Sequence, residues 1–226
     1  MESLRFLSRE DVELVRFEFG TPVYVYDEAT LRKNARTLKA FPNAFGLQTR
    51  YAMKAAPTAA ILRIFNQEGL GIDASSGHEI ERAIRVGFGT ESISLSTQEM
   101  PENFAAWVED GVKFNLCSLH QIRRFAETCP RRSVGLRFNP GLGSGSSNRT
   151  NVGGPSASFG IWHTHLERVV RTAREYDLKI TRLHTHIGSG SDPEVWQRCS
   201  GLTMNLVRHL PEVTRVNLGG GYKVGR

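Results

Sequence analysis

The sequence predicts an α/β protein of the TIM-barrel type, a (β/α)8 barrel of which about seven of the eight strand–helix units are present. Three observations carry the prediction. Short β-favouring runs recur at 48–54, 70–75, 92–96, 112–117 and 134–139, their starts spaced by roughly 20 residues, the size of one compact strand-plus-helix unit. Helical patterns with apolar residues at i, i+3 and i+4 lie between them. Polar residues also gather where the strands end: Lys54, Asp73, Ser96, Asn115, Asn139, His186 and the glycines from Gly219. Barrels place their chemistry on that C-terminal face, and the repeat number favours a barrel over an open doubly wound sheet.

In chain order, residues 1–27 form an N-terminal helix and strand set apart from the barrel, which occupies 28–226. The run TPVYVYD (21–27) alternates like a strand but falls outside the regular period, so it is assigned to another sheet. Ala60, Ile61, Ile64 and Phe65 make one helical face, and Ile80, Ala83, Ile84 and Phe88 another. Helix starts are signalled by a Ser118…Gln121 capping box and by Asp192 ahead of Pro193. After Asn139 a segment rich in Gly, Ser and Asn (141–160) precedes a helix at 163–176. Strands at 180–187 and 213–218 follow.

Composition narrows the class. A chain of 226 residues with 39% hydrophobic and 23% charged residues can bury a full core. No apolar run approaches the roughly 18–20 residues of a membrane span, and the N-terminus does not read as a secretory signal, so a cytoplasmic enzyme is expected. Cys117, Cys129 and Cys199 are too few and too scattered for a disulfide framework or a zinc site and read as buried or incidental thiols. The net charge of +6 comes from arginines spread along the chain, including Arg123, Arg124, Arg131, Arg132, Arg168, Arg171 and Arg174. That spread argues against nucleic acid as a partner and suits a site for anionic small molecules.

Among candidate site residues, Lys54 ends the first barrel strand, where its amine could form an imine with a carbonyl cofactor. A lone lysine at a strand end ordinarily snorkels into solvent, so its company decides. Gly219, Gly220 and Gly221 follow a strand in a loop that habitually binds phosphate in barrels, although a triple glycine by itself is more often a flexible turn. His184 and His186 share one face of a strand that opens into Gly188-Ser189-Gly190. Two histidines invite a metal. With no Glu- or Cys-rich partner motif, a histidine ring stacked on an aromatic cofactor, with Ser189 reaching a phosphate, fits better. Asp73, Glu79 and Arg137 lie at or just after strands, where a surface ion is the usual fate.

Seven runs, TPVYVYD (21–27), YAMKA (51–55), GIDASSGHEI (71–80), GLRFNPG (135–141), SFGIWH (158–163), HTHIGSG (184–190) and LGGGY (218–222), together resemble the fold-type III pyridoxal-phosphate-dependent decarboxylases over nearly the whole chain. The resemblance is to their N-terminal, alanine-racemase-like barrel. It is strongest to the diaminopimelate decarboxylases and next to the ornithine and arginine decarboxylases. It implies that Lys54 is the Schiff-base lysine of pyridoxal 5'-phosphate and that Asp73 and Glu79 support the cofactor site. Arg137 would orient the cofactor, His186 would stack on its pyridine ring, and Ser189 with Gly219–Gly221 would bind its phosphate; no metal is implied.

The implied reaction is decarboxylation of a basic or dibasic amino acid, meso-diaminopimelate to L-lysine first among them, in a homodimer that shares active sites between subunits. Three positions depart from the family pattern: Ala56 in place of asparagine, Ser158 in place of lysine, and Gly190 in place of the glutamine of diaminopimelate decarboxylases. The last is closer to the ornithine enzymes. Family members continue through an eighth strand with a Glu-Pro-Gly-Arg motif into a β-domain, against which residues 1–27 are expected to pack. The β-domain brings an acidic partner for the pyridine nitrogen, a cysteine and a tyrosine, so this chain alone is expected to be inactive. A non-catalytic pyridoxal-phosphate-binding barrel is the rival, and a regulatory pseudoenzyme or a racemase fits the motifs less well.

Overall fold

A computed structural model describes residues 6–143, 153–155, 157–188 and 192–221. Seven strands run in parallel: β1 (Arg50–Ala52), β2 (Gly71–Ala74), β3 (Ile93–Ser96), β4 (Lys113–Leu116), β5 (Ser133–Asn139), β7 (Lys179–Thr185) and β8 (Arg215–Asn217). They are hydrogen-bonded in that order, and a two-residue segment, β6 (Ile161–Trp162), adds to the end of β5. All seven lie within the runs the sequence marks, give or take a residue. β1 and β8 are the outermost strands, yet Arg50 on one and Arg215 on the other sense each other's charge, so the sheet curls toward a barrel.

Parallel strands need crossovers, and helices supply them. α3 (Ala59–Gln67), α4 (Gly77–Val86), α5 (Phe104–Glu109), α6 (Leu119–Thr128), α7 (Leu166–Glu175) and α8 (Pro193–Val207) connect successive strands. The helix expected at 163–176 begins as a 3-10 turn, His163–His165, before α7. Asp192 caps α8 by accepting from the Glu194 N–H, with Pro193 in the first turn, as expected.

Side chains on paired strands alternate between the two faces of the sheet. The rows Tyr51–Ile72–Ile93, Ala74–Leu95–Phe114 and Leu116–Leu136–Leu183 turn outward and form the core with the helices. There Phe104, Phe114 and Phe125 pack with ring centroids 5.9–6.1 Å apart. Each such buried ring contributes about 1.5–3 kcal/mol. Ile84, expected on the core face of α4, is 38% exposed, while Ile80, Ala83 and Phe88 are buried. The inward rows are polar: Asp73–Ser94–Lys113, Ser96–Asn115–Gly135–Arg182–Arg215, and Arg137–His184–Asn217. The concave side is therefore built for ions and hydrogen bonds.

The N-terminal part differs from expectation. α1 (Arg9–Phe19) buries no residue, and α2 (Glu28–Lys39) packs on α3 through Ala35, Ile61 and Phe65. The expected strand 21–27 is irregular: Tyr24 is 89% exposed, and Val23, Val25 and Tyr26 are exposed too. A strand needs a neighbour for its backbone groups, and none of the described strands pairs with this run. Asp27 instead caps α2 through the N–H groups of Ala29 and Thr30.

Candidate functional site at the C-terminal ends of the strands

Lys54 does not belong to β1, as expected from the sequence, but to the 3-10 turn Met53–Ala55 that follows it. Ladder pairing ends at Ala52↔Asp73, and Met53 then buries completely in the core. The same turn leaves Lys54 exposed over the end of the sheet. Its charge is felt by Asp73, His184 and His186, which places it among residues of β2 and of the strand end of β7.

Asp73 accepts a 3.0 Å hydrogen bond from the Ser94 hydroxyl. Burial pushes its carboxyl up, and Ser94, Lys54, Arg137 and Arg50 pull it back. Arg137, 9% exposed on β5, lies with its guanidinium 5.1 Å from the Phe159 ring centre. Burial lowers its pKa, against the pull of Cys117 and Asp73.

His184 is buried, with Nδ1 3.2 Å from Ser96 Oγ, and Ser96 Oγ accepts from the Asn115 amide at 3.0 Å. A Cβ on Gly135 would stand 2.0 Å from Asn115 Oδ1, so this polar layer exists only because Gly135 has no side chain. Burial first, then Arg137, His186 and Lys54, hold His184 well below the usual histidine range. His186 is pushed down to about 4 by burial, Arg137 and Lys54, in that order. Both rings are neutral at neutral pH. No group of three or more His, Cys, Asp or Glu side chains among the described residues could hold a metal ion.

The glycine loop meets this cluster directly. Gly219 has φ +80°, and a Cβ there would lie 2.3 Å from His186 Nδ1, whereas a Cβ on Gly220 would meet nothing within 4 Å. Gly219 N–H is held by the Asn217 side chain at 2.8 Å. His186 Nδ1 is buried without a hydrogen-bond partner in the structure. Gly221 is exposed at the end of the described loop, and Ser189 lies outside the described residues.

Glu79 holds the turn after β2. Its Oε2 accepts from the Ser75 N–H at 2.7 Å, while Ser76 Oγ accepts from the Glu79 N–H. Two repeats away the device recurs: Gln121 Oε1 accepts from Cys117 N–H and Ser118 Oγ from Gln121 N–H. These are capping boxes displaced by one residue, in which the side chain of the third helical residue holds the residue before the cap. Gln121 also donates to the Thr97 and Gln98 carbonyls, tying the β3 and β4 ends together. Sequence reasoning found the Ser118 box but missed its twin at Ser76.

Asn139, which the sequence marked only as a polar strand end, anchors the glycine-rich segment. Its Oδ1 accepts from Gly141 and Gly154 N–H, and its Nδ2 donates to the Gly154 and Ala157 carbonyls. Its signal in the sequence was an amide at a strand end directly ahead of Pro140-Gly141. The three cysteines are buried and free, as expected; burial pushes the Cys117 thiol up to about 11.

These residues suit pyridoxal phosphate. The exposed Lys54 amine is free to bond a carbonyl, the orphaned His186 Nδ1 sits under a loop only glycine can form, and the open Gly220 leaves room for an anion. Arg137 and Lys54 supply positive charge beside Asp73.

Comparisons with known proteins agree. Residues 29–225 match the family model described as pyridoxal-dependent decarboxylase, pyridoxal binding domain. A diaminopimelate decarboxylase of Streptomyces coelicolor is 34% identical over 213 residues, 92% of this chain and 47% of that protein. A crystal structure of diaminopimelate decarboxylase superposes with TM-score 0.83 at 29% identity, over 96% of this chain and 53% of the other. The lysine/ornithine decarboxylase of Vibrio vulnificus, crystallised with putrescine, shares the fold with TM-score 0.77 at 21% identity, over 97% of this chain and 59% of its own. The chain spans about half the length of the curated relatives it matches.

Proposed function

Because the chain belongs to the pyridoxal-dependent decarboxylases and spans their pyridoxal-binding domain, we propose that it is the cofactor-holding part of a carboxy-lyase acting on a basic or dibasic amino acid, meso-diaminopimelate first among them, with L-lysine as product. The observation that carries the reading is the convergence of Lys54, Asp73, Arg137 and His186 with Gly219 at one end of the sheet. When bound, pyridoxal phosphate supplies the electron sink that lets a carboxylate leave as CO2.

The chain's residues supply the rest. Lys54 would hold the cofactor's carbonyl carbon through its amine. His186, kept neutral by burial, would lie against the ring without adding charge to it. Gly219, Gly220 and Gly221, with Ser189, would present backbone and hydroxyl donors to the phosphate. Arg137 and Asp73 would fix the ring's orientation, and Glu79 would act indirectly by shaping the loop after β2. A cytoplasmic homodimer with shared active sites, and residues 1–27 packed on a further β-domain, belong to the same reading; the exposed run Val23–Tyr26 supports the packing. Among the described residues no helix is long and apolar enough to cross a membrane.

The second reading, an ornithine, lysine or arginine decarboxylase, is favoured by Gly190 and by the fold shared with the Vibrio enzyme. Time-resolved CO2 release by the complete gene product that bears this chain separates the two. Fastest release from meso-diaminopimelate is expected. Faster release from ornithine, lysine or arginine would replace the substrate, and release from none would refute the decarboxylase.

A further inference from the structure

The chemistry above uses one end of the curled sheet; the other end carries charge it does not use. Arg50, Lys113, Arg182 and Arg215 come from β1, β4, β7 and β8 and sense one another electrostatically. Arg50 is the first residue of β1, Lys113 of β4 and Arg215 of β8, so the group lies toward the N-terminal ends of those strands. Their hydrogen bonds are to neutral groups. Arg50 donates to the Gln48 side chain, and Arg182 to Thr181 Oγ1 and the Phe114 carbonyl. None of the four is in an ion pair among the described residues. The carboxylates they sense are Asp73, which acts on Arg50, and the exposed Glu91, the weakest influence on Lys113. Nε of Arg50 and Nε of Arg182 are buried with no hydrogen-bond partner.

Water could satisfy those N–H groups but not the charge, and several cations held together in partial burial are costly without a counter-ion. Guanidinium forks converging from different strands match an anion with several oxygens arranged around one centre. We propose that this lower end of the half-barrel binds a small inorganic oxyanion of the phosphate or sulfate class, at a site separate from the cofactor's own phosphate loop. Desolvation and mutual repulsion, which lower the pKa of Arg50 and Lys113 and bring that of Arg182 to about 10, are the cost such an anion relieves.

The test is titration calorimetry of inorganic phosphate into the complete gene product that bears this chain, saturated with pyridoxal phosphate, in chloride buffer at constant ionic strength. Saturable binding of one equivalent is expected, with the cofactor's visible absorbance unchanged. Arg182→Gln should weaken it about tenfold or more, the loss expected of a charge-assisted hydrogen bond. Arg215→Gln, at the residue that pairs with Arg182 in the β7–β8 ladder, serves as a second probe should Arg182→Gln fail to fold. Arg168→Gln, on the exposed face of α7, should leave the affinity unchanged. Absence of saturable binding, equal weakening by Arg168→Gln, or phosphate binding that displaces the cofactor would each overturn the proposal.

Discussion

His186 shows how much of the site is decided by burial at a single residue. The folded chain keeps its ring neutral down to about pH 4, whereas an unfolded histidine protonates near 6.5. The unfolded state therefore binds the extra proton first. Stability associated with the neutral ring is complete above pH 6.5 and is lost as pH falls toward 4, by up to about 3 kcal/mol for a shift of this size. His184 acts with the same sign. Urea unfolding from pH 7 to pH 4 should show a clearly shallower decline for His186→Gln than for the parent, and parallel declines would contradict the assignment. The sequence named His186 and Gly219 separately, from two motifs 33 positions apart. Their contact was not legible, because it depends on β7 and β8 being neighbours in the sheet. Glu79 was legible as a charge near a strand and, through the resemblance, as a support of the cofactor site; that its carboxylate holds the Ser75 N–H depends on a loop geometry that residue type does not encode.

At the scale of elements, the repeat is the most readable feature. Five strands fall where the roughly 20-residue period and β-propensity put them, and β7 and β8 where β-propensity alone does, after the inserted segment 141–160. The twin boxes Ser76/Glu79 and Ser118/Gln121 show that the repeat extends to hydrogen bonding. Removing either cap hydroxyl should cost about 1 kcal/mol. Ser76→Ala and Ser118→Ala should thus lower the unfolding free energy by similar amounts in urea titration, and a loss confined to one of them would show that the two loops are not equivalent. The run 21–27 alternates like a strand yet is irregular in this chain, for the opposite reason. Its alternation is that of a strand, but a strand exists only with a partner, and none of the described strands offers one. The two-residue β6 was not foreseen, since two residues carry too little periodicity to see.

For the whole molecule, the division of faces explains why the fold could be anticipated and its interior could not. Outward rows of Ile, Leu and Phe make a core that any hydrophobic pattern announces. The inward rows of Asp, Ser, Asn, Arg and His are scattered in sequence and become a surface only when the sheet curls. Hydrogen exchange should follow this architecture, with the slowest amides in β2–β5 and β7, paired on both sides, and fast exchange across 21–27. Protection of 21–27 equal to that of β3 would mean the segment is paired after all.

The central claim is that Lys54 is the residue that holds the cofactor. Incubation of the protein with pyridoxal 5'-phosphate, borohydride reduction and peptide mapping tests it most directly. A single stoichiometric pyridoxyl adduct on Lys54, absent from Lys54→Ala, is the predicted result. An adduct on another lysine, or undiminished labelling of Lys54→Ala, would contradict it.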